Sequence, residues 1–318
     1  VPTFCRHNRF VQNCPICKQE LAPERPAARS RSSSSGSSTR RPGASSRGAS
    51  SLRVRKEVRA ADDGYRNELV PGLKSTADAR RLAEELAFSA GRLAELATDP
   101  PAGYGAVAAA DDPEQALWIA FLIAYLGPLE GDAAFAAIDG AVTDWASRDV
   151  PDLAEAKLGP RSSHDLARGD RTLVAYRAWA ERSGGQLAGL AGEEAWSSER
   201  RFSRAFERLG TLPGFARGPR FDLLVTLGRL GVLDVTAESL HYGDDQTAIG
   251  AKRVFGIGDL FLLEKRSAEL ADAAGVPLEA LDLALHNWSR PPAGRATMGA
   301  RVTADPDAVE LIADELGA

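Results

Sequence analysis

Cys5, His7, Cys14 and Cys17 fall within thirteen positions, in the spacing Cys-x-His-x6-Cys-x2-Cys, and include all three cysteines of the 318-residue chain. Three thiolates and one imidazole make the tetrahedral N/S set that zinc takes, and Cys14–Cys17 has knuckle spacing. A stretch this short has no apolar core, so metal binding would supply its folding free energy. The set is predicted to hold one structural zinc ion; a histidine in place of the fourth thiolate disfavours an iron–sulfur cluster. Residues 1–20 therefore read as a zinc-knuckle module. Arg6, Arg9, Lys18, Phe4 and Phe10 are interleaved with the ligands. Basic and aromatic residues together suit contact with a nucleic acid, and they suit a protein contact nearly as well.

A second group is Gly243-Asp244-Asp245-Gln246-Thr247, two adjacent carboxylates at the expected start of a helix. On the residues alone, Asp245 reads as an N-cap. Upstream lies a stretch with a different use. A helix over 199–209 puts Phe202, Phe206 and Leu209 on one face and Arg201, Arg204 and Arg208 on the other. Leu212-Pro213-Gly214-Phe215-Ala216-Arg217-Gly218-Pro219-Arg220 follows, then a helix with Leu223, Leu224, Leu227 and Leu230 for its buried face. Helix, glycine turn, helix, over about 199–230, is the plan of a helix–hairpin–helix. Turn glycines such as Gly214 and Gly218 let backbone approach an anion, and the next helix aims free N–H groups at it. Seven arginines stand between Arg200 and Arg229 against Glu207 and Asp222 alone, a local excess of +5 that favours DNA.

The elements that position these groups are helical. Ala and Leu dominate beyond about Leu52, and no clean alternating stretch appears. The pattern predicts helices over 78–97, 114–126, 132–146, 171–182, 198–209, 222–230, 247–255, 260–274, 278–287 and 306–316. The segment 114–126 is apolar all round, as a central core helix is, with Asp112-Pro113 to cap it. The expected class is all-α over 55–318. A linker at 21–54 precedes it, reading as disordered: 11 of the 22 residues from Ser30 to Ser51 are serine, mixed with arginine. Residues 1–59 carry 13 Lys and Arg against 3 Asp and Glu, net +10, whereas the whole chain is −5. A basic arm on an acidic body suggests that the arm meets a polyanion. No apolar run reaches the roughly 20 residues of a membrane span, the polar start does not read as a secretory signal, and three cysteines make no disulfide framework. A cytoplasmic location is expected.

Leu212-Pro213-Gly214, with an aspartate opening a later helix and the Asp112–Leu117 helix start upstream, resembles the helix–hairpin–helix/Gly-Pro-Asp superfamily of DNA glycosylases over about residues 105–290. More closely, the chain is similar to the bacterial group called α-glutamyl/putrescinyl thymine pyrophosphorylase-like. That likeness rests on Phe4-Cys5-Arg6-His7-Asn8-Arg9-Phe10, Asn13-Cys14-Pro15-Ile16-Cys17 and Gly250-Ala251-Lys252-Arg253. The group includes an anti-phage glycosylase that excises α-glucosylated hydroxymethylcytosine. Two features depart from the superfamily pattern. The turn is longer than a compact Gly-x-Gly, and the interval from hairpin to Asp245 is also long. Asp234 lies nearer the usual interval, but its flanks Leu233 and Val235 fit less well, so it ranks below Asp245 and Asp244.

The resemblance implies excision of a modified base from double-stranded phage DNA, with structural zinc, no nucleotide cofactor and no membrane partner. Asp245 would stabilise the oxocarbenium-like sugar, with Asp244 sharing the task. Gly214, Arg217, Gly218, Arg220, Arg204, Arg208, Lys252 and Arg253 would hold DNA. Tyr242, Asn287 and Trp288 would line the pocket for the extruded base; Tyr125 is a weaker candidate, and Trp118 reads as core. The hairpin has no lysine for a Schiff base, so a monofunctional enzyme leaving abasic sites is expected. No cysteine follows Cys17, so the four-cysteine cluster loop of some members is absent. The alternatives are a DNA-binding adaptor without chemistry, and an enzyme acting on hypermodified thymine.

Overall fold

The computed structural model describes residues 60–318; the four zinc-ligand candidates and the linker lie outside these residues. The described residues are all-α, with no strand among them. The helices are α1 (Thr76–Thr98), α2 (Ala102–Ala109), α3 (Pro113–Leu126), α4 (Ala136–Asp139), α5 (Arg171–Ser183), α6 (Gln186–Ala191), α7 (Ser198–Leu209), α8 (Arg217–Arg229), α9 (Gln246–Phe255), α10 (Leu260–Ala273), α11 (Ala280–Trp288) and α12 (Pro306–Leu316). None is long and apolar enough to cross a membrane.

α3 is the central helix. Asp112 caps it by accepting the Glu114 N–H at 3.0 Å, Pro113 occupies the first turn, and every residue from Ala116 to Leu126 is buried. Gly127 ends it at φ +67°. Its aromatic face stacks with α5: Phe121 and Tyr176 lie parallel at 3.7 Å between centroids. α8 packs on the same helix, and α11 and α12 pack on α1.

Most predicted helices form within a few residues of their expected bounds. The predicted helix over 132–146 contracts to the single turn of α4. Gly140 follows that turn, and side chains then take the backbone partners that a helix would have used. Gln115 accepts the Trp145 N–H at 2.7 Å and donates to the Thr143 carbonyl at 3.2 Å, while Trp118 donates to the Thr143 hydroxyl at 3.3 Å. The short helices α2 and α6 carry too little periodicity to read from sequence. α8 begins at Arg217 rather than at 222, which puts Pro219 in its first turn, where a missing N–H costs nothing.

Candidate nucleic-acid interface and carboxylate site

The turn between α7 and α8 is fixed from three sides. Leu212 and Phe215 are buried, and the Phe215 ring meets Phe121 of α3 at 5.0 Å. Thr172 at the start of α5 donates to the Pro213 carbonyl at 2.8 Å, and Ser163 accepts the Ala216 N–H at 2.9 Å. Gly214 stands at φ +77°, and a Cβ there would fall 2.1 Å from Arg168 Nη1, which donates to the Gly214 carbonyl at 3.3 Å. The turn thus needs glycine for its conformation and for the approach of a cation. Gly214→Ala is expected to remove about 1–3 kcal/mol of unfolding free energy, read from urea titration; an unchanged midpoint would contradict this account of the turn. At the start of α8, Ala216 supplies no side-chain cap; Pro219 carries no N–H, and the Arg220 N–H goes to the Ala216 carbonyl at 3.1 Å.

Arg217 opens α8 with its guanidinium turned inward. Nη1 lies 3.2 Å from Asp245 Oδ2, Nη2 pairs with Asp282 and donates to the Leu240 carbonyl, and Nε donates to the His241 carbonyl at 3.2 Å. Arg161 pairs with Asp282 as well, and reaches Asp222 at 2.7 Å. The result is a chain of alternating charge, Asp222–Arg161–Asp282–Arg217–Asp245. Its first four members are buried, and only Asp245, with a side chain 24% exposed, reaches solvent. Burial works against the Asp282 charge, but Arg161 and Arg217 outweigh it and hold this carboxyl below its ordinary range. Asp222, desolvated and facing Asp282, is pushed up. His286, one turn beyond Asp282 on α11, is pushed down to about 2 by burial and by Arg161, and so is a neutral imidazole.

Asp245 is the N-cap of α9: its Oδ1 accepts the Ala248 N–H at 3.0 Å. The same carboxylate therefore caps a helix and faces the first residue of α8. The segment leading to it is gripped on both edges. Arg217 takes the Leu240 and His241 carbonyls, and Glu264 of α10 takes the Leu240 and Tyr242 N–H groups at 2.7 and 3.1 Å. Between them His241 sits at φ +50°, a conformation that non-glycine residues seldom hold without such restraint.

The other sequence-predicted residues divide. Asp244 is exposed beside Asp245. Arg217 is placed as an internal clamp, with its guanidinium spent on Asp245 and Asp282 rather than aimed outward. Arg220 lies over the Phe206 ring at 4.4 Å, and Phe206 in turn stacks on His241 at 4.4 Å. Arg204 pairs with Glu207 at 2.8 Å, and Arg208 donates to the Gly189 carbonyl at 2.9 Å; both are exposed. Gly218 lies against Arg161, 3.0 Å from where a Cβ would stand. Lys252 and Arg253 occupy the last turn of α9. Asp234 is exposed and pairs with Arg201, away from the Arg217 clamp.

The three pocket candidates are core residues with internal partners. Tyr242 is buried and bonded to Ser267 at 2.7 Å, Asn287 donates to the Ala296 carbonyl and to Glu85, and Trp288 donates to the Asp78 carbonyl. Trp118 and Tyr125 are also buried, and the Tyr125 hydroxyl bonds His164 at 3.0 Å. Two open cavities of about 600 and 550 Å³ lie elsewhere, one lined by Leu153, His164 and Asp170 and one by Trp145, Arg177 and Gly185. Neither is lined by Asp244 or Asp245. Among the described residues, no cluster of three His, Cys, Asp or Glu suits a metal ion.

Sequence reasoning missed Arg161, Asp222 and Asp282; it groups His286 with Asn287 and Trp288 as a base-pocket candidate, and the structure buries that side chain too. A signal existed for two of them. Asp222 and Asp282 interrupt otherwise apolar runs, Phe221-Asp222-Leu223-Leu224 and Leu281-Asp282-Leu283, and an acid on a buried face demands a buried cation. Comparison with protein-family models, with curated proteins and with solved structures finds no match to this chain.

Proposed function

We propose that the protein is a monofunctional DNA glycosylase that removes a modified base, a glucosylated hydroxymethylcytosine by preference, from phage DNA. The observation that carries this reading is the place of Asp245: a solvent-reaching carboxylate at a helix tip, 3.2 Å from the residue that opens the helix after a glycine hairpin. The hairpin N–H groups would hold a phosphate of the strand. The C1′–N bond of an extruded nucleoside breaks with its electron pair leaving on the base. Asp245 stabilises the positive charge left on the sugar. Water adds to C1′, its proton leaves to solvent, and an abasic site remains. No lysine stands between Leu212 and Arg220 to form a Schiff base, so the strand stays uncut. Cys5, His7, Cys14 and Cys17 are assigned a structural zinc ion, and the basic arm a share of the DNA contact.

The test is incubation of the protein with duplex oligonucleotides carrying modified cytosines, followed by hot alkali. Strand scission only after alkali, and only with a modified base, is the expected result. Intact strands for every modification, glucosylated hydroxymethylcytosine included, would refute it.

A second reading, a DNA-binding protein without chemistry, draws on a specific observation. Both Asp245 oxygens are engaged, one by Ala248 and one by Arg217, and the two open cavities lie elsewhere. On that reading the chain binds DNA and releases no base.

A further inference from the structure

An arginine offers several donors in one rigid plane, where a lysine offers a single charged point. Arg217 spends its plane on acceptors from three stretches of chain. Nη2 pairs with Asp282 of α11 and donates to the Leu240 carbonyl, and Nε donates to the His241 carbonyl at 3.2 Å. Nη1 lies 3.2 Å from Asp245 Oδ2 at the head of α9. The Arg217 side chain is only 6% exposed, so it cannot turn toward solvent without giving up these partners. Its other acid, Asp282, is 2% exposed and is held in turn by Arg161. The guanidinium therefore reaches Asp245 already anchored.

Asp245 is met by two donors, the Ala248 N–H on Oδ1 at 3.0 Å and Arg217 Nη1 on Oδ2. One donor on each oxygen fixes the carboxylate plane, and each oxygen keeps a second acceptor position. Among the described residues no donor holds the side chain of Asp244, which is exposed. Of the two adjacent carboxylates, only Asp245 is aimed. A phosphate contact would ask the opposite of an arginine: a guanidinium turned outward with donors to spare. The run of arginines around Arg217 suggests such a contact, whereas its burial and its partners oppose one.

We propose that Arg217 is a positioning residue for base excision, which acts through Asp245 by setting the aim of that carboxylate and makes no phosphate contact. This rests on the glycosylase reading above, and it adds a reason for the chemistry to fall on Asp245 rather than on Asp244.

The experiment is a double-mutant cycle of Arg217→Lys and Asp245→Asn in the full-length protein. Single-turnover release from a duplex carrying glucosylated hydroxymethylcytosine is measured at saturating protein, and affinity over a range of salt. Lysine keeps the charge but cannot span the same acceptors. Arg217→Lys alone is expected to slow release about 10-fold to about 100-fold, the scale of a misplacement near an ångström, with affinity unchanged. In the Asp245→Asn background the same change should slow release by less than about twofold, because the charge it acts through is already gone. The slope of log affinity against log salt should match wild type, whereas a lost phosphate contact would lower it by about one.

Equal slowing in both backgrounds would make Arg217 merely structural, and a lowered salt slope would make it a DNA contact; either overturns the assignment. Where Arg217→Lys does not fold, judged by circular dichroism, wild type with isotopically labelled arginine carries the test by NMR. The Arg217 Nε–H should stay protected from exchange with water when DNA binds, and loss of that protection would overturn the assignment. If wild type releases base and Arg217→Lys releases it equally fast, this inference fails and the glycosylase reading stands. If wild type releases no base from any modified duplex, both fail.

Discussion

Asp245→Asn is expected to slow base release about a hundredfold to a thousandfold while leaving DNA affinity within a few-fold of wild type. Asparagine is isosteric and caps helices as well as aspartate does, so α9 keeps its start and the Ala248 N–H its acceptor. What is lost is the negative charge that would face the sugar as its bond to the base breaks. Removing one charge-stabilising group from a preorganised site costs about a hundredfold to a thousandfold in rate. The check is single-turnover release from a duplex carrying the modified base, with affinity measured in parallel. A variant that releases base at the wild-type rate would place the chemistry on another residue, and Asp244→Asn is the comparison that asks whether its exposed neighbour shares the task.

Asp282→Ala should be the most destabilising single change in the helical body, by about 3–5 kcal/mol in urea unfolding. Asp282 is buried, and it is the one carboxylate that both Arg161 and Arg217 touch. Without it two buried guanidinium groups keep a single acid each, Asp222 and Asp245. The penalty comes from stranding charge rather than from the worth of the pair. Replacing Asp222, Arg161 and Asp282 together by apolar residues of similar volume leaves Arg217 paired with Asp245 and strands no charge, so it should cost less than the single change. A triple variant less stable than Asp282→Ala would contradict this. The pH dependence has a definite sign. Asp282 has a lowered folded value, so its contribution is in place above the ordinary aspartate range, near about 3.9, and is lost as pH falls through that lowered value. Asp222, whose value is raised, acts in the opposite sense as pH rises.

The fold class and most helices were legible because their signals are local. α3 announces itself by an unbroken apolar run after Asp112-Pro113, and α12 by Asp305-Pro306. The turn between α7 and α8 was legible too, down to the position of Gly214, because a backbone at positive φ leaves little choice of residue. The roles of its arginines were not. Arg217 and Arg220 look alike in a string of basic residues, yet one is clamped by carboxylates from α9 and α11 and the other lies on Phe206. The distinction depends on Asp245 and Asp282, 28 and 65 positions away from Arg217. Tyr242, Asn287 and Trp288 were chosen as stacking or polar groups near helix ends, and packing takes all three inward. Sequence proximity to Asp245 says nothing about which way a ring turns. Asp245 was legible as a cap, and its meeting with Arg217 was not, since nothing local records which helix start the hairpin faces.

The most direct test is mass spectrometry of the small molecules released when wild type and Asp245→Asn are incubated with phage genomes of different base modification. The proposed function predicts a free modified base, without sugar or phosphate, from wild type and a genome carrying the right modification. Unmodified DNA should yield none, and the variant about a hundredfold to a thousandfold less in the same time. Release of nucleotides rather than bases, release that needs added pyrophosphate, or no release from any genome would contradict the assignment of Asp245 as the carboxylate of a hydrolytic glycosylase.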